Sequence, residues 1–390
     1  MKLLIVTRER PGDARFGLGK VVRRIAAELQ DRGHQVALIS AADWTEQDHK
    51  NHAKTTRFLQ RLGAPEALAS TLAERWVQAR RTRLLLQREG YTHLWFQDPW
   101  LSAAYLLLRP FNRAHREIRW GISEHGLGTF ARAVALDGLL MPQRWRQILI
   151  WLEARGLRRA DFVLLPSKAV EGQLRHELHL HSTPKHWAVL GYGRPPAPMM
   201  SRGDARRELG WEADGFYALV LGRTAPVKRI DLILNACHLA QRAGVEVRLV
   251  FVGGGLHADL QRLAAGLSSP PICVEVDDPS LYLAAADIYL SACAVESFGF
   301  ANLEAITAGL PCVVAAGGGA TEVLQDGAWL IEPTAENFAE AICQLFVQPN
   351  LRTRWADAAL ARAACIPSWA QLSAQYEVHI GGDCAKIGAP

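Results

Sequence analysis

The chain lacks several features that would assign a protein of its length to a class directly. None of its apolar runs reaches the ~18 residues that a membrane-spanning helix needs, and it contains no internal repeat or low-complexity tract. Its seven cysteines are odd in number and never form a Cys-x-x-Cys pair, which argues against a disulfide framework or a zinc site. We therefore expect small, buried, reduced cysteines in a cytoplasmic globular protein. The first apolar run, Leu3–Thr7, is too short for a signal peptide and predicts a strand.

Two common phosphate-binding signatures are also absent. Gly19-Lys20 is followed by Val21, where a Walker A loop needs Ser or Thr. Ala14 stands where that loop needs its first glycine. The dinucleotide fingerprint is not matched either, so neither an ATPase nor a dehydrogenase is predicted.

Charge is unevenly distributed between the two halves of the chain. Residues 1–200 hold 31 Lys and Arg against 18 Asp and Glu, whereas residues 201–390 hold 13 against 21. This balance of +13 and −8 predicts an N-terminal half that faces an anionic partner. A phospholipid surface, a lipid-diphosphate acceptor and nucleic acid are the candidates. At 390 residues, the chain is expected to form two domains of about 190 residues each.

Short apolar runs alternate with longer helical patterns, which predicts βα units and parallel sheets. The Gly- and Pro-rich segment at 191–198 predicts an interdomain linker. The predicted strands are Leu3–Thr7, Val36–Ser40, His93–Phe96, Ile118–Ile122, Phe162–Pro166, Ala218–Gly222, Arg248–Gly253, Ile272–Val276, Ile288–Ser291 and Pro311–Ala315.

The most informative segment is Glu296–Glu304, in which two carboxylates stand eight residues apart. A predicted buried strand precedes it, so Glu296 falls on the loop beyond the strand's carboxyl end. The backbone amides of Phe298-Gly299-Phe300 open a helix that contains Glu304. Ligands of open α/β sheets bind outside the carboxyl ends of strands, where helix N-termini offer unpaired N–H groups. An acidic residue in the first turn of an ordinary helix is the plain alternative.

This segment resembles the Glu-x7-Glu signature of retaining glycosyltransferases of family 4. The resemblance implies an α/β protein of the GT-B fold, with two Rossmann-like, doubly wound parallel-sheet domains facing across a cleft. An acceptor-side domain is implied over residues 1–192 plus 368–390, including a last helix that crosses back to it. A donor-binding domain is implied over residues 198–367.

A second match follows the predicted strand at 218–222. Gly222-Arg223 with Lys228 resembles the family's Gly-Arg-x4-Lys segment. The resemblance implies that Arg223 and Lys228 bind the donor diphosphate, and that no metal ion is required. Arginine offers a fork for paired oxygens and lysine a point charge. No Asp-x-Asp motif at a strand end points to a metal. Two solvated surface cations are the alternative.

The N-terminal half carries two further matches. Gly17-Leu18-Gly19 opens a predicted helix and resembles the family's glycine-rich loop, although Phe16 replaces its first glycine. Ser123-Glu124-His125-Gly126 resembles the family's histidine motif. The resemblance implies that Gly17 contacts phosphate and that His125 faces the transferred sugar. A purely structural histidine is the alternative.

Three weaker matches complete an ordered set across residues 218–333. The turn at Phe251–Gly255 resembles the family's Val-Gly-x-Gly turn, and Gly317–Gly319 with Glu322 resembles its closing segment. Val276, between two acidic residues, is implied to approach the nucleotide base.

The resemblance implies a retaining hexosyl- or glycosyltransferase of the EC 2.4 class. It uses a nucleoside-diphosphate sugar as co-substrate and no cofactor, with UDP expected ahead of GDP. Arg223, Lys228 and the Gly17 amide would stabilise the leaving diphosphate. Glu296 and the Phe298–Phe300 backbone would hold the sugar, and Glu304 the ribose hydroxyls.

The acceptor is expected to be a saccharide or a lipid-linked molecule of cell-envelope polysaccharide, lipopolysaccharide or glycolipid synthesis. Basic amphipathic runs at 75–88, 109–119 and 144–159 favour either an anionic membrane surface or a solvated outer face. They form no nucleic-acid-reading motif, so no nucleic acid is expected. The predicted location is cytoplasmic and peripheral at the inner membrane face. A sugar-nucleotide epimerase, a phosphorylase-type enzyme, a transferase of secondary metabolism and a non-catalytic scaffold remain alternatives.

Overall fold

A computed structural model describes residues 1–8, 17–108, 117–256 and 258–382. The chain divides into two compact units. The first unit includes Leu18–Tyr192 and the C-terminal segment from Trp369, and the second consists of Gly193–Ser368 together with Gly17.

The first unit is built on a six-stranded sheet in which all paired strands are parallel. Its strands are β1 (Lys2–Val6), β2 (Gln35–Ile39), β3 (His93–Phe96), β4 (Arg119–Ser123), β5 (Phe162–Leu165) and β6 (Trp187–Val189), in the order β2-β1-β3-β4-β5-β6. Its helices as far as Tyr192 are α1 (Gly17–Asp31), α2 (Glu46–Arg61), α3 (Glu66–Glu89), α4 (Pro99–Leu108), α5 (Phe130–Leu136), α6 (Gln143–Arg159) and α7 (Lys168–Glu177).

The second unit repeats this plan with a second six-stranded parallel sheet. Its strands are β7 (Phe216–Leu221), β8 (Val247–Val252), β9 (Ile272–Val274), β10 (Ile288–Ser291), β11 (Cys312–Ala315) and β12 (Trp329–Ile331), in the order β12-β11-β10-β7-β8-β9. Its helices are α8 (Arg202–Leu209), α9 (Ile230–Arg242), α10 (Ala258–Ala264), α11 (Ser280–Ala285), α12 (Phe300–Thr307), α13 (Gly318–Leu324), α14 (Ala335–Val347) and α15 (Pro349–Ala364).

The last helix, α16 (Trp369–Gly381), belongs to the first unit and packs against β4. Its buried face contains Trp369, Leu372, Tyr376 and Ile380, which recur at helical spacing. The Tyr376 hydroxyl donates to the Gly191 carbonyl at 3.1 Å, and Arg119 Nε of β4 donates to the Ile380 carbonyl at 2.8 Å, so polar bonds supplement this apolar contact.

The central strands of both sheets are buried along their whole length, because helices cover both faces of a parallel sheet. The parallel strands predicted from the apolar runs are confirmed, and β3 and β10 have the predicted bounds. The predicted strand Ile272–Val276 is too long. β9 ends at Val274, because this residue pairs with Val252, the last residue of the neighbouring strand β8.

The cysteine prediction is only partly right. Cys237, Cys293 and Cys312 are buried, but Cys273 and Cys365 are exposed. Cys273 lies on β9, an edge strand whose middle residue points outward, and Cys365 follows the last residue of α15. Cys384, the loop residue Phe16 and most of the basic run 109–119 lie outside the described residues.

Candidate functional site

The strand order of the second sheet reverses between β7 and β10. Connections that leave two such strands run in opposite directions, which opens a crevice at their carboxyl ends. The segment that begins at Gly222 follows β7, and the segment that leads to Glu296 follows β10. The two motifs that sequence analysis singled out therefore start from adjacent strands at one edge of the sheet.

Lys228 and Glu296 meet at this point, although 68 residues separate them in sequence. The Lys228 ammonium donates to Glu296 Oε1 in an ion pair, and the two side chains are 27% and 13% exposed. Burial by itself lowers the pKa of Lys228, but the Glu296 carboxylate more than compensates, so this pKa is raised. Lys228 is therefore charged at neutral pH, and solvent still reaches the pair.

The loop that carries Arg223 and Lys228 is fixed by its neighbour along the sheet. The Gly222 N–H donates to the Val252 carbonyl at 2.9 Å. Gly253 follows with φ of +156°, and a Cβ atom there would lie 1.8 Å from the Gly222 carbonyl oxygen. Only glycine permits this approach, so the weak Val-Gly-x-Gly match acquires a structural reason. Arg223 is exposed in the same loop.

Helix α12 begins immediately after the Glu296 loop. Gly299 is its N-cap residue and has φ of +83°, a left-handed conformation that favours glycine. Phe298 is buried and anchors the turn, and Phe300 is the first helical residue. The first N–H groups of the helix have no partners within the helix itself. Glu304 is half-buried, one turn further along.

Sequence analysis did not assign a role to the glycines that hold Glu296 in place. The Gly319 N–H donates to the Glu296 carbonyl at 2.7 Å. Gly318 has φ of +54°, and a Cβ atom there would lie 2.3 Å from that same carbonyl oxygen. The first residues of α13, which follows the next strand along the sheet, thus position the backbone of Glu296. Three successive glycines after a strand were the available signal.

Two other residues, Cys293 and Val276, follow strands of the same sheet. Burial, with the Glu296 charge, raises the pKa of Cys293 to about 12, so this thiol stays protonated. Val276 lies in the loop beyond β9, and β8 separates that strand from β7. The structure therefore does not bring Val276 into the Lys228–Glu296 pair.

The first sheet also reverses its strand order, between β1 and β3. His125 follows the neighbouring strand β4, and Gly17 begins α1. The Nε2 atom of His125 lies 3.0 Å from Gln97 Oε1, which can only accept, so Nε2 carries the proton. Its Nδ1 atom then accepts from the Tyr192 hydroxyl at 2.7 Å. Burial and the nearby Arg8 charge lower the pKa of His125 to about 3, so the ring is neutral.

Below this edge, Arg75 and Asp98 form a buried ion pair. Asp98 Oδ2 accepts from Arg75 Nη2 at 2.8 Å and from Nε at 3.2 Å. Asp98 Oδ1 accepts from the Trp100 N–H and so caps α4. Arg75 is 6% exposed, so it belongs neither to a membrane-facing surface nor to a solvated outer face, the two alternatives that the sequence offered for its run. The reason is that a buried carboxylate needs a buried counter-charge.

Glu124 and Glu153 are fully buried close to the same ion pair. Burial raises the pKa of Glu153 to about 8, and burial together with the Glu153 charge raises the pKa of Glu124 well above its ordinary value. Both pKa values are raised so far that both carboxyl groups are protonated at neutral pH. Glu153 Oε1 also accepts from the Phe130 N–H at 2.7 Å.

Two further properties concern the described part of the chain. None of its His, Cys, Asp and Glu side chains converge in groups of three that could hold a metal ion. No helix among the same residues has both the length and the apolar character to cross a membrane.

Two family models match this chain and together extend over both units. The model described as "Glycosyl transferase 4-like domain" matches residues 16–193, and that described as "Glycosyl transferases group 1" matches residues 201–362. The chain belongs to the group 1 glycosyltransferases. The family predicted from the Glu-x7-Glu and Gly-Arg-x4-Lys motifs is therefore confirmed.

Relatives of this group 1 glycosyltransferase differ in how much of the chain they match. The GDP-mannose-dependent alpha-(1-6)-phosphatidylinositol dimannoside mannosyltransferase of Mycobacterium tuberculosis is 28% identical over 94% of this chain and 92% of its own length. A D-inositol 3-phosphate glycosyltransferase of Geodermatophilus obscurus is 35% identical over 38% of this chain. The chain spans only 37% of that relative's length.

Among solved structures, sucrose-phosphate synthase from Thermosynechococcus elongatus matches with a TM-score of 0.75. The match covers 99% of this chain and 100% of the other, at 18% identity. At this identity the likeness shows the fold alone. It confirms the predicted α/β GT-B fold, with one six-stranded parallel sheet in each unit.

Proposed function

We propose that this chain is a retaining glycosyltransferase that transfers a sugar from a nucleoside-diphosphate sugar to a saccharide or lipid-linked acceptor. The observation that supports it most is the Lys228–Glu296 ion pair at the strand-order reversal of the second sheet. A cation there suits a diphosphate, and a carboxylate suits sugar hydroxyls. The crevice at such a reversal is where open α/β sheets bind ligands.

In the proposed mechanism, the donor diphosphate takes the place of Glu296 as the partner of Lys228. Arg223, exposed in the same loop, adds a second cation. Negative charge grows on the leaving diphosphate in the transition state, so pre-placed cations favour departure more than they favour substrate binding. Glu296, released from Lys228, then accepts hydrogen bonds from the sugar hydroxyls. The Gly319 N–H holds the Glu296 backbone during this exchange.

Helix α12 supplies the rest of the proposed donor site. The N-terminal end of the helix, which begins after Gly299, is proposed to face the donor phosphates, and Phe298 keeps this turn in place. Glu304 binds the two ribose hydroxyls, for which the two oxygens of a carboxylate are suited.

We propose a front-face reaction in which the leaving phosphate helps to deprotonate the acceptor. The buried cysteine beside the ion pair, Cys293, keeps its proton and does not act as a nucleophile. Gly17 and His125 remain proposed contacts, to phosphate and sugar respectively. Because the His125 ring is neutral, it would hydrogen-bond a hydroxyl rather than supply charge. No metal ion takes part in this proposal.

The donor nucleotide is proposed to be UDP or GDP. The sequence resemblance put UDP first, whereas the relative that aligns over 94% of this chain is GDP-mannose-dependent. That relative acts on a phosphatidylinositol dimannoside, which favours a lipid-linked acceptor here. A cytoplasmic protein at the inner membrane face, acting in envelope glycolipid or polysaccharide synthesis, is the corresponding setting.

A donor screen tests this function. UDP-, GDP-, ADP- and dTDP-sugars are incubated with the protein, and binding is followed by ligand-detected NMR. We expect one donor to bind, with binding lost in Glu304→Ala and kept in Glu246→Ala, which removes an exposed carboxylate after α9. Absence of binding to every donor would contradict the proposal. Conversion of a donor without any acceptor would point to an epimerase instead.

A further inference from the structure

The first unit contains a cavity of about 550 Å³ that its proposed catalytic residues do not line. Residues of α2, α3, α4 and α6 form its walls. We propose that this cavity binds one hydrocarbon chain of an anionic lipid-linked acceptor. This inference rests on the proposed transferase function and assigns the acceptor its chemical class.

The walls of the cavity are mainly apolar and open to solvent. Phe58, Leu107 and Ile148 line it while remaining 58%, 52% and 49% exposed. Trp76 and Trp145 add two large rings to the same walls. Folding alone does not account for so many large apolar side chains left in water around one opening, and such patches mark binding surfaces. The volume is within the range of small-molecule pockets, roughly 300–1,000 Å³.

The cavity is formed by well-anchored helices. The Trp145 indole N–H donates to the Gly63 carbonyl at 3.3 Å, and this ties α6 to the turn after α2. His52 Nε2 lies 3.0 Å from the Ser70 carbonyl and links α2 to α3. Beneath the cavity, Trp100 and Leu149 belong to a separate apolar cluster of the first unit. These bonds hold the walls apart, so a ligand would find a preformed space.

Positively charged side chains at the cavity favour an amphiphile with an anionic head group. Lys54 and Arg80 line the cavity, are exposed, and form no ion pair with any other described residue. Arg75 also lines it, but Asp98 neutralises that charge. Two available cations at the edge of an apolar cavity complement an anionic head group attached to an apolar chain. A neutral glycolipid would leave these cations without a counter-charge.

Binding of straight-chain alkyl phosphates tests the proposal by isothermal titration calorimetry. Butyl, octyl, decyl and dodecyl phosphate are used below the concentrations at which they form micelles. Each added methylene that enters the cavity should tighten binding about fourfold. Dodecyl maltoside, which has the same chain and no charge, should bind at least tenfold more weakly than dodecyl phosphate. Affinity that does not change with chain length would overturn the proposal.

Two pairs of variants locate the binding site. Ala104→Phe fills the cavity from α4 and should weaken dodecyl phosphate binding at least tenfold, whereas Ala53→Phe adds an exposed ring on α2 outside it. Arg80→Glu should reduce binding, whereas Arg88→Glu reverses an exposed charge on the same helix outside the cavity. Equal effects within either pair would refute the assigned site.

Donor binding in the same samples separates this proposal from the proposed function. We expect the Ala104→Phe variant to bind the sugar nucleotide normally. Chain-dependent binding of alkyl phosphates without any donor binding would uphold the cavity and reject the transferase. Donor binding together with alkyl phosphate affinity that does not depend on chain length would uphold the transferase and reject the cavity.

Discussion

The two sheets have the same strand plan, yet they use the edge at which their strand order reverses in different ways. In the second unit, Lys228 and Glu296 form a pair that water still reaches. In the first unit, Arg75, Asp98 and the nearby Glu124 lie 6% exposed or less. A partly exposed pair can exchange its partner for a ligand, whereas a buried one cannot do so without losing stability. The same position thus holds an exchangeable pair in one unit and a structural network in the other.

This difference between the two ion pairs follows from the other hydrogen bonds that each carboxylate makes. Asp98 accepts from Arg75 and caps α4 at the same time, so helix packing depends on its charge. Glu296 accepts from Lys228, and its backbone is held separately by Gly319. The Glu296 side chain can therefore change partners while its backbone stays in place.

The largest effect should come from removing the buried cation of the first unit. Arg75→Ala leaves the buried Asp98 with Arg8, whose Nη1 lies 3.8 Å from Asp98 Oδ2, as its remaining counter-charge. We therefore expect the free energy of unfolding to fall by about 3 kcal/mol in urea titrations. Arg88→Ala, on the exposed last turn of the same helix, should change it by less than about 0.5 kcal/mol. If the two variants proved equally stable, the network would not be structural and the contrast between the units would fail.

The corresponding change in the second unit should affect rate rather than stability. Lys228→Ala removes the cation that is proposed to face the leaving diphosphate, and we expect kcat/KM to fall about 100- to 1,000-fold. Because the pair is partly exposed, its loss should lower stability by no more than about 1 kcal/mol. Steady-state kinetics and urea unfolding of the same preparations measure both quantities.

Arg242→Ala serves as the control, since it removes an exposed cation at the far end of α9. A Lys228→Ala enzyme with normal kcat/KM and greatly reduced stability would reverse the assigned roles of the two pairs.

A smaller effect, dependent on pH, is expected from the proton that the buried Glu153 carboxyl group holds in the first unit. In the folded chain the pKa of Glu153 is raised from 4.5 to about 8 by burial. Between these values the folded state holds a proton that the unfolded state has lost, so stability falls as pH rises. Glu153→Gln keeps an acceptor for the Phe130 N–H and does not titrate.

We therefore expect the variant to gain stability relative to wild type by roughly 1–2 kcal/mol as pH rises from 5 to 8. Urea unfolding at several pH values measures this difference. Glu171→Gln, in the first turn of α7, serves as a carboxyl-to-amide control. A difference that stays constant over this range would show that Glu153 is ionised in the folded chain.

Features encoded in neighbouring residues could be predicted from the sequence. The parallel strands follow from short apolar runs between helical patterns, and the loop at Glu296 follows from its place between a strand and a helix. Arg75 could not be placed correctly in the same way. Its neighbours on α3 form a basic amphipathic pattern, and its partner Asp98 lies 23 residues away on another element. A helical pattern shows which residues share a face, but it does not show which charged residue of another element will contact that face in the core.

The amino-acid sequence by itself determined the α/β class, the order of the motifs and the family, because each depends on local spacing. Only the tertiary structure decided that Lys228 pairs with Glu296, that Gly253 presses against Gly222, and that four helices enclose an apolar cavity. Strand order is a long-range property, set by how helices pack on both faces of a sheet. Contacts between distant segments can therefore be identified only when the order of the strands in each sheet is known.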